Sequence, residues 1–244
     1  FNGAYQEGAG YYQLNICNGR RQSTARTFLK ASENRPNLTV LTGAMSQRIL
    51  IENGRAIGIE YQQSSGKQTS NEQAYASGEV ILCGGVINSP QLLELSGIGD
   101  RELLESLGIE VAQHLPGVGE NLQDHLTINV QQGLHGVTTF FEETRPLAMI
   151  KNLFKYLFKR RGLLAHPAAQ AGVFFRTSDR VQRPDAQVHF APAASEPDSK
   201  GNLKTTQGTT ATVCHLRPES RGSVHIRSAD PREYPVIRAN YLDT

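Results

Sequence analysis

Apolar residues recur along this chain with two different periods. Arg48-Ile-Leu-Ile51 is an apolar run, and in Arg55–Tyr61 apolar residues alternate, so that Ile57, Ile59 and Tyr61 fall on one face of an expected strand. Asn53-Gly54 lies between these runs. Both positions of such a pair tolerate positive φ, which predicts a type I′ hairpin. Leu38-Thr-Val-Leu-Thr42, rich in β-branched residues, predicts another strand. Residues 64–76 are polar and read as a surface loop. Glu79-Val-Ile-Leu-Cys83 is a short apolar run of the kind expected for a strand buried on both faces. It enters Gly84-Gly85 and then a helix. Asn88 or Ser89 is the expected cap, Pro90 suits the first turn, Leu92, Leu93 and Leu95 face inward, and Gly97 ends the helix. A second short helix is expected from the cap Asp100 through Leu103, Leu104 and Leu107 to Gly108. Upstream, residues 1–19 read as irregular chain, and Ser23 is the expected cap of a short helix with Ala25, Phe28 and Leu29 as its apolar face.

The character changes near residue 126. Thr127–Gly133 reads as a strand. Leu147, Ile150, Phe154, Leu157 and Phe158 then recur at helical spacing within 146–161. Strand-like runs follow at 171–176, 186–191, 209–216 and 223–227, separated by Gly- and Pro-bearing loops. Strands in series predict an antiparallel sheet. A strand, a glycine turn and a capped helix make half of a nucleotide-binding unit. The expected fold is therefore α/β plus α+β: a partial Rossmann-like domain over 1–126, then a domain with an antiparallel sheet and helices over 127–244.

Composition narrows the class. With 38% hydrophobic and 20% charged residues over 244 positions the chain is an ordinary globular protein. A net charge of +2 gives no reason to invoke nucleic acid. Cys17, Cys83 and Cys214 are odd in number and lack CxxC spacing, so small buried side chains and a reducing cytoplasm are expected rather than disulfides or zinc. The chain starts Phe-Asn-Gly and stops at Asp243-Thr244, which reads as an internal piece of a longer polypeptide.

Several blocks then carry a resemblance. Gly84-Gly-Val-Ile-Asn-Ser-Pro-Gln-Leu-Leu-Glu-Leu-Ser-Gly-Ile-Gly99 is similar to the second sequence signature of the glucose–methanol–choline (GMC) oxidoreductases. Leu115-Pro-Gly-Val-Gly-Glu-Asn-Leu-Gln-Asp-His125 resembles a further block of that family. Gly10-Tyr-Tyr-Gln, Asn18-Gly-Arg-Arg, Asn37–Gly43, Leu216–Val224 and Asn240-Tyr-Leu242 fit in the same order. The resemblance is nearest to choline dehydrogenase and bacterial FAD-dependent alcohol dehydrogenases. It implies an FAD/NAD(P)-binding Rossmann-like domain, a substrate domain, FAD as cofactor, and oxidation of a primary alcohol by hydride transfer to flavin. Electrons would then pass to a quinone or to oxygen.

Carried over residue by residue, the resemblance assigns cofactor binding to Ser46, Gly84 and Gly85. Glycines after a strand let a ligand approach the backbone, and the helix start that follows offers free N–H groups. On spacing alone the pair equally suits a tight strand-to-helix turn. Ser46 matches the place where a main-chain N–H and C=O meet the adenine. Two family elements are missing: no GxGxxG turn occurs, and none of the seven histidines stands in the context of the family's general base. The chain alone is therefore expected to be inactive, with no catalytic residue assigned. His125 is expected to fix a loop rather than line a cleft. His189, His215 and His225 lie on expected strands without metal-type partners. Arg20, Arg21 and Ser23 read as capping or solvated residues, and Asn121 and Asp124 as residues that order a loop. Lys151, Lys155, Lys159, Arg160 and Arg161 form a basic stripe. It reads either as a solvated face of a helix packed on its own domain or as a contact with the inner face of a membrane. Rival readings are a module that kept the fold without the chemistry, and another flavoenzyme class, against which the block Ser89–Gly99 argues.

Overall fold

The structure, a computed structural model, describes residues 3–66 and 68–243. The chain folds into two compact units. One joins Phe1–Leu38 with His125–Arg217, and the other joins Thr39–Asp124 with Pro218–Thr244.

The first unit is built on a five-stranded antiparallel sheet ordered Gly8–Tyr11, Ala171–Phe175, Ala186–Ala191, Gly208–His215, Thr127–Gly133. Four of these strands lie where β-branched and aromatic runs predict them. The fifth, Gly8–Tyr11, falls in the segment expected to be irregular. Its pairing with Ala171–Phe175 is what makes it a strand, and no local pattern encodes a partner so distant in sequence.

The helix Pro146–Lys159 starts with proline in its first turn and ends where Arg160 turns left-handed at φ 52°. It is preceded by the short helix Phe140–Glu143. There Thr139 N donates to the Glu142 carboxylate at 2.6 Å and Phe141 N to the Thr139 hydroxyl at 3.3 Å. The long helix does not bury its apolar stripe. Leu147 and Phe158 are 84% and 80% exposed, and the residue it buries is Asn152. Asn152 donates to the carboxylate of Glu143 at 2.6 Å and to its carbonyl at 3.1 Å. Lys151, Lys155 and Lys159 are exposed beside this stripe, and the helix contacts the short helices Phe140–Glu143 and Leu163–Ala165.

In the second unit the hairpin forms as expected. Ala44–Glu52 pairs with Arg55–Ser65, and Asn53 and Gly54 sit at φ 50° and 74°. A third strand, Gln68–Tyr75, occupies the segment expected to be a loop. It is exposed along its described length, so a polar edge strand forms here through its backbone ladder without a buried face. The sheet packs on the helix Gly85–Leu95 through Ile49 and Leu92, both buried. The Ser96 hydroxyl accepts from Ile49 N at 2.8 Å. Asp100 caps Arg101–Ser106 by accepting from Leu103 N at 3.1 Å, and Leu104 is fully buried. Ile98–Gly99 and Gln113–His114 pair in parallel, and Ser223–His225 forms a hairpin with Val236–Arg238.

Other expectations fail for identifiable reasons. Residues 38–42 and 79–83 are not strands, because their backbone groups find no partner strand among the described residues; Ile81 is 78% exposed. The helix starts at Gly85 rather than at Asn88 or Ser89, which puts Pro90 inside it. Ser23 caps no helix with its side chain. Its carbonyl accepts from Arg26 N and Thr27 N instead, and Phe28 is exposed. Cys214 is buried, but Cys17 and Cys83 are exposed.

Candidate functional site

A cleft of about 600 Å³ opens in the second unit beside the start of the helix Gly85–Leu95. Ser46, Ile49 and Ile59 of the sheet form one wall. The run Val80–Gly84 and the helix residues Asn88, Gln91, Leu92 and Leu95 form the other, and Pro231–Tyr234 closes one end. Ser46 and Gly84, separated by 38 positions, thus face the same space. Ser46 sits where the pairing slips between Ser46 and Arg48, a bulge that frees ladder groups from regular pairing. Gly84 is the N-cap and supplies no side chain to the first-turn N–H groups. Gly85 enters the helix at φ 77°, and no atom lies within 4 Å of the place a Cβ would occupy. A left-handed residue that opens on empty space leaves the backbone accessible at the positive end of the helix dipole.

The loop Pro231–Tyr234 is the part of this cleft that the sequence does not announce. Gln91 Nε2 donates to the Glu233 carbonyl at 3.0 Å and ties the loop to the helix across 142 positions.

Behind the cleft lies a second unannounced constellation. Glu94, on the same helix, is fully buried. It accepts from Ile226 N at 2.8 Å and meets His225 Nδ1 at 2.7 Å, while His225 Nε2 meets Glu120 at 2.9 Å. Burial works against a charged His225, but hydrogen bonds and attraction from the two carboxylates outweigh it and raise the pKa. This network locks the helix to the hairpin Ser223–His225 and to the loop before Asn121. That loop is ordered further by the Tyr241 hydroxyl, which donates to Asp124, and by mutual bonds between Leu122 and Gly222. Asn121 itself takes φ 61°. The loop-ordering role expected of Asp124 is seen here.

In the first unit Tyr12 Oη lies 2.7 Å from His189 Nδ1 and accepts from Gln187 Nε2 at 3.0 Å. His189 is held below the ordinary imidazole range, first by burial and then by nearby His125. His215 ends a strand and lies exposed, and His114 accepts from Arg101 N at 3.1 Å.

Chemically, the cleft suits binding rather than proton transfer. Its walls are largely aliphatic, its polar lining combines the helix start with the side chains of Asn88, Gln91, Arg232 and Glu233, and no histidine lines it. Flat apolar surface and an anion are what such walls accept.

A family model described as GMC oxidoreductase matches residues 1–127. The chain belongs to the GMC oxidoreductase family. Over 99% of its length it is 40% identical to alcohol dehydrogenase [acceptor] of Pseudomonas putida, and over its full length 42% identical to mitochondrial choline dehydrogenase of Homo sapiens. It spans 44% and 40% of those two proteins. Among solved structures it matches an FAD-dependent oxidoreductase from Chaetomium thermophilum with a TM-score of 0.77 and 25% identity, covering 94% of this chain and 46% of that one. The mixed α/β architecture with antiparallel sheets expected from the strand pattern is shared with this solved structure.

Proposed function

We propose that this GMC chain is part of an FAD-dependent oxidoreductase that acts on the CH–OH group of a primary alcohol, choline or an alkyl or aryl alcohol. The observation that carries the reading is the meeting of Ser46, Gly84 and the uncapped helix start at one cleft, within a segment that matches the family. In this reading residues 1–126 hold the cofactor-binding groups, and 127–244 contribute most of the sheet on the substrate side.

The residues present fit part of the dinucleotide. Main-chain groups of Ser46 at the bulge receive the adenine edge, and Ile49 and Ile59 beside it offer apolar contact. The main chain at Gly84, which lines the cleft, and the helix start beside it receive an anionic oxygen; Gly85 is not among the lining residues but opens on space where a Cβ would meet nothing. Bound FAD supplies a two-electron acceptor for the hydride of the alcohol. The chain's own residues bind and orient. The proton of the hydroxyl needs a general base that none of its histidines is positioned to be in the cleft. Reduced enzyme passes its electrons to a quinone or to oxygen.

The test is made on the intact protein that carries this sequence. It should purify with flavin absorbance and bleach a dye acceptor when given choline or an alkyl alcohol, whereas the 244-residue chain alone should not. Gly85→Leu should lower flavin retention about tenfold or more, the effect of losing roughly 1–2 kcal/mol at a left-handed position. Full flavin retention in that variant, or an intact protein that binds no flavin, would sink the proposal.

A further inference from the structure

We propose that His225 is a positioning residue for the flavin cleft: its second ring proton clamps the helix Gly85–Leu95 to the segment that closes the cleft. This rests on the flavin reading of that cleft. The helix grips the segment at two places, less than one turn apart. Gln91 Nε2 donates to the Glu233 carbonyl at 3.0 Å, in the loop Pro231–Tyr234. Glu94 accepts from Ile226 N at 2.8 Å and meets His225 Nδ1 at 2.7 Å. At 100° per residue, Asn88, Gln91 and Leu95 form a row that lines the cleft, and Glu94 lies about a quarter turn to one side. What holds Glu94 therefore holds the cleft-lining row and the start of the closing segment together. Glu94 is fully buried, and Val224 and Ile226 beside His225 are 2% and 4% exposed. The ring has little room to swing: a Cβ on Gly119 would stand 2.8 Å from His225 Cε1, and one on Gly99 3.2 Å from Glu94 Cγ. All of these residues belong to the second unit.

Proton counting gives the clamp its condition. The ring meets a carboxylate at each nitrogen, Glu94 at 2.7 Å and Glu120 at 2.9 Å. Carboxylate oxygens and bare ring nitrogens only accept. Two such contacts need two protons, and a neutral imidazole brings one. Burial works against the second proton, but hydrogen bonds to the two carboxylates and their attraction outweigh it and raise the pKa. Loss of that proton sets two acceptors against each other at hydrogen-bond distance, so one contact must open. Two other charged residues line the same pocket as His225: Asp100, and Arg238 on the paired strand Val236–Arg238. Asp100 is engaged by Leu103 N at 3.1 Å, and Arg238 offers Glu120 another cation. With the clamp open, fewer molecules hold the helix and the closing loop in place, and the apparent affinity for flavin falls by that fraction. Flavin is thus held more tightly in mildly acid buffer and released as pH rises through the folded-state pKa of His225.

The experiment uses the intact protein carrying this sequence, with its flavin. It reads the flavin dissociation constant, and amide exchange at Ile226, from mildly acid to mildly alkaline buffer. In the parent the constant should rise about tenfold, the equivalent of one pKa unit between flavin-bound and flavin-free forms. Exchange at Ile226 should quicken over the same range. Glu120→Gln tests the proton count, because its amide donates to the bare Nε2 of a neutral ring. Both readings should then become nearly flat with pH while flavin still binds. The Glu120 side chain is 49% exposed, so this change disturbs no core. His225→Asn should also be flat, and weaker than the parent in acid buffer. A merely structural role would lower affinity equally at every pH. A parent that binds flavin equally across the range overturns the proposal and leaves the flavin reading standing. So does Glu120→Gln following the parent's profile. An intact protein without flavin sinks the flavin reading and this proposal with it.

Discussion

Single residues in the second unit carry constraints that are sharp enough to test. A Cβ on Gly119 would stand 2.3 Å from the Val224 carbonyl oxygen and 2.7 Å from His225 Nδ1, at φ 81°. Gly119→Ala should therefore cost about 2–4 kcal/mol, seen as a lower denaturation midpoint with unchanged slope. His225→Ala removes one partner of a fully buried carboxylate and leaves Glu94 the Ile226 N–H among the described residues, and should cost about 2–4 kcal/mol. The pH dependence has a definite sign. His225 has a raised pKa in the folded state, so it binds its proton more tightly there than in the unfolded chain. Its contribution is fully present below about pH 6.5, the unfolded value, and is lost as pH rises through the folded value. A thermal midpoint that falls on going from mildly acid to mildly alkaline buffer, with this fall absent in His225→Asn, is the expected result.

Among elements, the helix Pro146–Lys159 is held by polar rather than apolar contacts, and this reverses the usual mutational logic. Asn152→Ala should loosen it by about 1–3 kcal/mol through the unpaired Glu143 groups, whereas Leu147→Ala, on an exposed side chain, should be near neutral. Amide hydrogen exchange along the helix separates the two outcomes. Arg160→Gly should stabilise by about 1 kcal/mol, because it removes a Cβ from a left-handed cap.

At the scale of the whole molecule, large apolar side chains lie open in both units: Val40, Leu41, Ile81, Val86 and Phe154 are each more than half exposed. The 244-residue chain by itself should therefore bind a hydrophobic dye and melt in a broad transition. A sharp cooperative melt without dye binding would contradict this.

What the linear pattern determines and what it leaves open divide along the range of the interactions. Asn53-Gly54 forces its hairpin, Asp100 caps its helix, and the β-branched runs at 127–133, 186–191 and 209–216 become strands, because each is decided by backbone sterics and neighbours within a few residues. Family membership is legible too, in the glycine and proline positions of 84–99 and 115–125. The rest waits on partners far away in the chain. Gly8–Tyr11 is a strand only because Ala171–Phe175 lies beside it, and Val80–Cys83 is not one because nothing pairs with it among the described residues. Glu94, an unremarkable helix position by periodicity, is buried because His225 and Ile226 arrive from 131 and 132 positions later. Ser46, Gly84 and the loop Pro231–Tyr234 acquire a common cleft in the same way. Local sterics act along the chain, but burial and hydrogen-bond satisfaction depend on what the fold brings alongside, and only three dimensions supply that.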